Sequence, residues 1–167
     1  MMKKIILTII LLTSFFLVGC NFTKTSLPEK RPNDFSFAVK WNFVGTYDSL
    51  TKKLRNGHNY DLNVDCTASL FFESYQLDEI YEIIRNAKID TYDDVINVSD
   101  EVGVPRLDCY IIIRYGDYQK KITLNNVVFE KIVRGKQVLD AINKIVEDYI
   151  YPSKAYKSLP ANQEFYD

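Results

Sequence analysis

The sequence has few of the side chains that active sites and metal centres use most often. Its single histidine, His58, lies in residues 55–59, where an Asn-Gly pair predicts a turn. A Ser–His–Asp or Cys–His site would have to use this residue, and no G-x-S-x-G pattern is present. One histidine and three cysteines also leave no zinc-ligand spacing. We therefore interpret His58 as a solvated loop residue.

The sequence has one long apolar run, and it is too short to span a membrane. Lys3 and Lys4 precede residues 5–18, an apolar segment of 14 residues, whereas a transmembrane helix needs about twenty. A positive start, a short apolar core and a small residue at its end are the parts of a secretory signal. We expect residues 1–19 to be this signal peptide. The alternative is an uncleaved amino-terminal anchor helix.

The apolar segment ends in Leu17-Val18-Gly19-Cys20, which resembles the lipobox of bacterial lipoproteins. The resemblance covers only the first twenty residues. It implies that Cys20 becomes the first mature residue and carries a diacylglycerol thioether. Because two acyl chains hold a protein on a membrane stably whereas one does so marginally, the resemblance implies a lipoprotein anchored to the extracytoplasmic face of a cell membrane.

The charge balance of the remaining chain is acidic. Removing residues 1–19 takes away two lysines and leaves 19 basic residues against 22 acidic ones, a net charge of −3. Nucleic acids and anionic lipid surfaces recruit proteins through concentrated positive charge. We therefore expect neither as the main partner. The apolar content of 47% and the aromatic content of 14% indicate a folded domain.

We expect one domain, residues 35–167, behind a lipidated cysteine and flexible stalk, residues 20–34. The stalk has two prolines and no periodicity. Period-two alternation predicts strands, and i, i+3, i+4, i+7 spacing predicts two helices. The strands are expected at residues 35–43, 61–70, 107–115 and 118–124, with a shorter strand or edge ribbon at 46–54; the helices are expected around 77–84 and 138–149. This order predicts an α+β fold, a mostly antiparallel sheet of four to five strands with two helices packed on one face.

The two cysteines left after Cys20 lie on apolar faces of predicted strands. If those strands were neighbours, the Cα atoms of Cys66 and Cys109 would come within the roughly 4.4–6.8 Å that a disulfide needs. Exported proteins keep such bonds. The alternative is two buried thiols that act as small apolar residues. Neither has a basic residue beside it that would make it reactive.

The acidic connection between residues 88 and 105 is a weak candidate for a metal site. Asp90, Asp93 and Asp94 supply the oxygen ligands that Ca²⁺ prefers. The connection lacks the D-x-D-x-D-G spacing that folds such ligands around one ion. The simpler interpretation is a solvated acidic loop, so we expect no metal and no cofactor.

Three further carboxylates and two tyrosines bear on function. Asp48, Asp61 and Asp65 raise the question of paired carboxylates for glycoside hydrolysis, although strand solubility explains them more simply. Tyr110 and Tyr118 fall on outward-facing or edge positions. Exposed tyrosine is typical of binding surfaces, and the alternative is aromatic cover for the rim of the sheet.

The mature domain loosely resembles small uncharacterised lipoproteins of Gram-positive bacteria. The residues that carry this resemblance are Phe35–Trp41, Tyr47-Asp48-Ser49, Leu77-Asp78-Glu79-Ile80-Tyr81 and Lys157-Ser158-Leu159-Pro160. None of them is a catalytic motif. The sequence therefore favours a lipid-anchored binding or interaction domain for an unknown protein or envelope ligand. The alternative is a cell-envelope hydrolase that uses surface carboxylates around Asp48 and Asp61.

Overall fold

The computed structural model describes residues 27–57, 65–100, 107–127 and 132–160. These residues form a seven-stranded sheet and three α-helices. The strands are β1 (Ser36–Lys40), β2 (Thr46–Asp48), β3 (Lys53–Arg55), β4 (Thr67–Ser69), β5 (Val95–Asn97), β6 (Cys109–Tyr115) and β7 (Tyr118–Asn125). The helices are α1 (Ser74–Asn86), α2 (Lys136–Ile145) and α3 (Lys154–Lys157), with a 3-10 turn at Ile89–Thr91 and a π-helical turn at Val146–Ile150.

The strands lie in the order β4-β3-β2-β1-β6-β7-β5. Five of the six pairings are antiparallel, and β5 runs parallel to β7. At the centre, Lys40 of β1 pairs with Thr46 on one side and Tyr110 on the other. β6 and β7 form the hairpin that the sequence predicts, with Gly116 at positive φ in its turn.

The prediction of a mostly antiparallel sheet with two long helices is confirmed in outline, but the predicted strand count is wrong. The stretch 46–54 contributes two strands because the chain turns between Asp48 and Lys53, with Lys52 at φ 58°. The connection 88–105, expected as a loop, contains β5. A strand of three residues is too short to show a period of two.

One face of the sheet shares an apolar core with both long helices. Burial follows the alternation that the sequence predicts, since Phe37, Val39, Ile111 and Ile113 are fully buried. The helices add a stripe each, made of Ile80, Tyr81 and Ile84 from α1 and of Val138, Leu139, Ala141, Ile142 and Ile145 from α2. The rings of Tyr81 and Phe35 meet edge to face at 4.9 Å, which ties α1 to the start of β1.

A glutamate caps the first turn of α1. Glu73 is the N-cap residue, and its backbone N–H donates to Gln76 Oε1 at 3.0 Å. Ser74 Oγ instead accepts a hydrogen bond from Arg31 Nη2 at 3.0 Å. Arg31 Nε also pairs with Asp78 at 2.6 Å. Arg31 therefore fastens the segment before β1 to α1.

Residues 27–34, predicted as part of the flexible stalk, pack on the domain. Leu27 is 4% exposed and belongs to the core. The Tyr81 hydroxyl donates to the Pro28 carbonyl at 2.7 Å. The segment thus runs along α1, and residues 27–34 are part of the packed domain.

We predict that Leu27→Ala destabilises the protein while the same change at Leu50 does not. Removing a buried leucine side chain costs about 2–5 kcal/mol, and Leu27 lies at the low end because it sits at the margin of the core. Leu50 is 65% exposed, so Leu50→Ala should change the free energy of unfolding by less than about 0.5 kcal/mol. Urea denaturation of the two variants measures the difference. Equal free energies of unfolding would show that Leu27 is not packed on the domain.

Candidate functional site

The face of the sheet away from the core, called the open face below, carries a shallow groove of about 440 Å³. Side chains alternate along a strand, so the residues between the buried ones point to this face. They come from five strands, and the groove lining includes Thr46, Asp48, Lys53, Arg55, Tyr110 and Arg114. The groove is therefore built on strands rather than on loops, which fixes its side chains at defined registers.

A bidentate ion pair crosses the middle of the open face. Arg114 Nη1 and Nη2 each donate to one oxygen of Asp48, both at 3.2 Å. The pair links β6 to β2 above β1, whose Ser36 and Ala38 are buried although they point to this face. Asp48 Oδ1 also accepts a hydrogen bond from the backbone N–H of Leu50 at 2.9 Å. Two parallel hydrogen bonds from a guanidinium to a carboxylate fix the orientation of both groups as well as pairing their charges.

Tyr110 lies beside this pair on the open face, as its register predicted. The ammonium group of Lys121 is 4.9 Å from the centroid of its ring. Burial, and then the negative charge of Asp48, raises the pKa of the Tyr110 hydroxyl. The hydroxyl therefore stays protonated at neutral pH and is able to donate a hydrogen bond.

Tyr118 does not face outward, but the edge position that was the other prediction is confirmed among the described residues, since β5 pairs only with residues 123–125 of β7. It pairs with Tyr115 at the end of the hairpin, and the two rings stack at 4.8 Å. Both rings pack against the core. Burial raises the pKa of Tyr118 to about 12. The sequence register failed here because the turn places Tyr118 opposite Tyr115, which is on the helix-covered side.

The open face concentrates positive charge. The strands direct five cationic side chains to it and one carboxylate, Asp48; the cations are Lys40, Lys53, Arg55, Arg114 and Lys121. The whole chain, by contrast, has a net charge of −1. The five cations lie on β1, β3, β6 and β7. The sequence does not predict the order of these strands, so the face that the cations share was not predicted.

The strand order does not bring the two candidate disulfide cysteines together. Cys109 begins β6, and Cys66 precedes β4 at the edge of the sheet. Three strands lie between them, which makes four strand spacings, or roughly 19 Å at about 4.8 Å per spacing. The condition for the predicted disulfide, that their strands be neighbours, is not met.

Cys109 is not suited to act as a nucleophile. Its side chain is fully buried, and Sγ donates to the carbonyl of Trp41 at 3.4 Å. Burial raises the pKa of its thiol to about 11. The reactive thiolate is therefore scarce near neutral pH.

The candidate catalytic carboxylates do not form an acid–base pair among the described residues. Asp48 is held by Arg114, and Asp61 lies outside the described residues, as does His58. Asp65 Oδ1 accepts hydrogen bonds from the Thr67 hydroxyl at 2.7 Å and the Thr67 backbone N–H at 2.9 Å. These bonds hold the pKa of Asp65 below its usual value. A general acid in glycoside hydrolysis needs the opposite shift.

The acidic side chains around β5 lie in different surroundings. Asp94 pairs with Lys120 at 2.5 Å, and Asp93 is exposed. Asp90 lies near Tyr115 and Tyr118 and raises the pKa of both hydroxyls as a secondary cause after burial. Within the described ranges, no group of three His, Cys, Asp or Glu side chains is placed to hold a metal ion.

Comparison with known proteins adds no assignment, since neither the protein-family models nor the curated proteins give a match to this chain. None of the helices in the described ranges is long and apolar enough to cross a membrane. The geometry of the open face and the amino-terminal motif are therefore the features that bear on function.

Proposed function

We propose that the protein is a lipid-anchored extracytoplasmic binding domain whose ligand contacts the open face. The observation that carries this proposal is the groove itself. It gathers the Asp48–Arg114 pair and Tyr110 on a face that no helix of the described residues covers. A concave site with a few convergent polar groups is the usual form of a ligand site.

The amino-terminal motif supports a lipid anchor, and the fold limits the length of the tether between Cys20 and the domain. Six residues lie between Cys20 and the buried Leu27, so seven residue steps separate the two. A chain of seven residues spans at most about 25 Å. Lipid on Cys20 would therefore hold the domain within about 25 Å of the bilayer, which is closer than a stalk reaching to residue 35 would allow.

The position of Leu27 also determines which side of the domain would face the membrane. Leu27 lines a cavity with Arg85 and Asn86 at the carboxyl end of α1, in the helix layer. The open face lies on the other side of the sheet. A tether that emerges from the helix layer and is this short directs the open face away from the bilayer. The groove is then accessible to a ligand outside the membrane.

We predict that Cys20→Ala releases the protein from the membrane fraction. Without the thiol there is no site for the diacylglycerol thioether, so the chain loses its acyl chains. Fractionation of cells and the mass of the amino-terminal peptide measure both effects. Cys66→Ala is the matched control and should remain lipidated. Retention of Cys20→Ala in the membrane fraction would contradict the anchor.

We predict that a photoreactive side chain on the open face captures ligand in intact cells. Thr51 is exposed and lines the groove, so a benzoylphenylalanine there should form an adduct. Tyr75 on α1 is 62% exposed and gives the matched control on the helix side. The adduct is measured as a shift in the mass of the purified protein. Equal adduct formation at the two positions, or none at Thr51, would overturn the open face as the binding surface.

A further inference from the structure

We propose that the ligand of the open face is an extended polyanion whose charged groups are phosphates. This inference depends on the proposal that the open face is the binding surface, and it adds the chemical class of the ligand. The charge of the whole chain does not suggest such a partner, because it averages over all residues. Among the described strand residues of this face only Asp48 offsets the five cations, and Asp65, just before β4, adds a carboxylate near Lys53.

The spacing of the cations fits a long ligand rather than a single anion. Lys53 and Lys121 lie in one row of paired residues, through Asp48, Ala38 and Ile112. Four strand spacings separate them, about 19 Å. In the next row, Arg55 and Lys40 are two spacings apart, about 10 Å. One small anion cannot contact all of these groups, whereas an extended chain with repeated charges can.

Most of these cations are available to a ligand. The ion pairs formed among the described residues include Arg114 with Asp48 but none that involves Lys40, Lys53, Arg55 or Lys121. Lys53, Arg55 and Lys121 are exposed, and Lys40 is half-buried. A polyanion would neutralise their mutual repulsion and release its own counterions, which favours binding.

The composition of the open face argues against a protein partner. Protein interfaces are enriched in exposed aromatic residues and depleted in lysine, and their binding energy comes from a few large anchors. The exposed large apolar side chains of the described residues lie mainly on loops and α1. Only Val95, at the β5 edge of the open face, is on a strand. These side chains are Phe43, Leu50, Phe71, Tyr75, Val95, Val133 and Tyr151. Tyr110 is half-buried beneath Lys121.

Lysine binds phosphate as a point charge, without the planar fit that the arginine fork makes with a carboxylate. Planar carboxylates are bound best by the fork of arginine, as Arg114 does with Asp48. Three of the four cations outside that pair are lysines, Lys40, Lys53 and Lys121, and an ammonium group acts as a point charge that suits tetrahedral phosphate oxygens. Thr46 lines the groove between Arg55 and Lys40 and adds a hydroxyl group.

Titration of the full chain with long-chain inorganic polyphosphate tests this proposal. At about 0.1 M salt, the triple variant Lys40→Gln, Lys53→Gln, Lys121→Gln should lose about 100-fold in affinity, since each lysine contributes about fivefold near an anionic surface. The matched control, Lys136→Gln, Lys144→Gln, Lys157→Gln, makes the same charge change on α2 and α3. It should lose less than about threefold, because salt screens charges beyond about 10 Å.

Three results would overturn the ligand class. They are no binding of polyphosphate, equal losses in the two triple variants, or equally tight binding of poly-L-glutamate of matched charge. If the photoreactive residue at position 51 still forms its adduct in cells, the open face is a binding surface and only the phosphate assignment fails. If that adduct is also absent, the proposed function fails with it.

Discussion

The burial of alternate side chains of β1 and β6 beneath α1 and α2 is the interaction on which the rest of the structure depends. Phe37, Val39, Ile111 and Ile113 are fully buried, which fixes the register of the central strands. A slip of one residue would expose this whole set to water. The same register directs Lys40, Tyr110 and the other polar residues to the opposite face. The open face is thus a direct consequence of the apolar core.

Sequence patterns predicted the elements whose periodicity is long and regular. The alternation around Phe37 and Val39, the stripe of α1 and the hairpin at Gly116 are examples. Strand order was not predictable, because it depends on packing between segments distant in the chain. The disulfide hypothesis for Cys66 and Cys109 failed for this reason. Leu27 was also missed, since one apolar residue in a polar segment has no period.

The charge of the open face also depends on strand order, which local sequence patterns do not predict. Each strand presents a few polar residues on its solvated side, and sequence reasoning explains these as ordinary strand solubility. Only the order β3-β2-β1-β6-β7 brings the cations together. An average net charge of −3 for residues 20–167 therefore conceals a basic surface. The acidic residues that produce the average include Asp78, Asp94, Asp140 and Asp148, which pair with cations away from the groove.

We propose that a short tether on the helix side turns the basic open face away from the membrane. Energy transfer from the protein, held on vesicles by the proposed lipid on Cys20, to acceptor dyes in the headgroups tests this orientation. Donors are attached to Thr51→Cys on the open face or Arg85→Cys on α1, in a Cys66→Ser background. Cys109 is buried and should not be labelled. We predict stronger transfer from position 85 than from position 51. Equal transfer, or stronger transfer from position 51, would contradict this orientation.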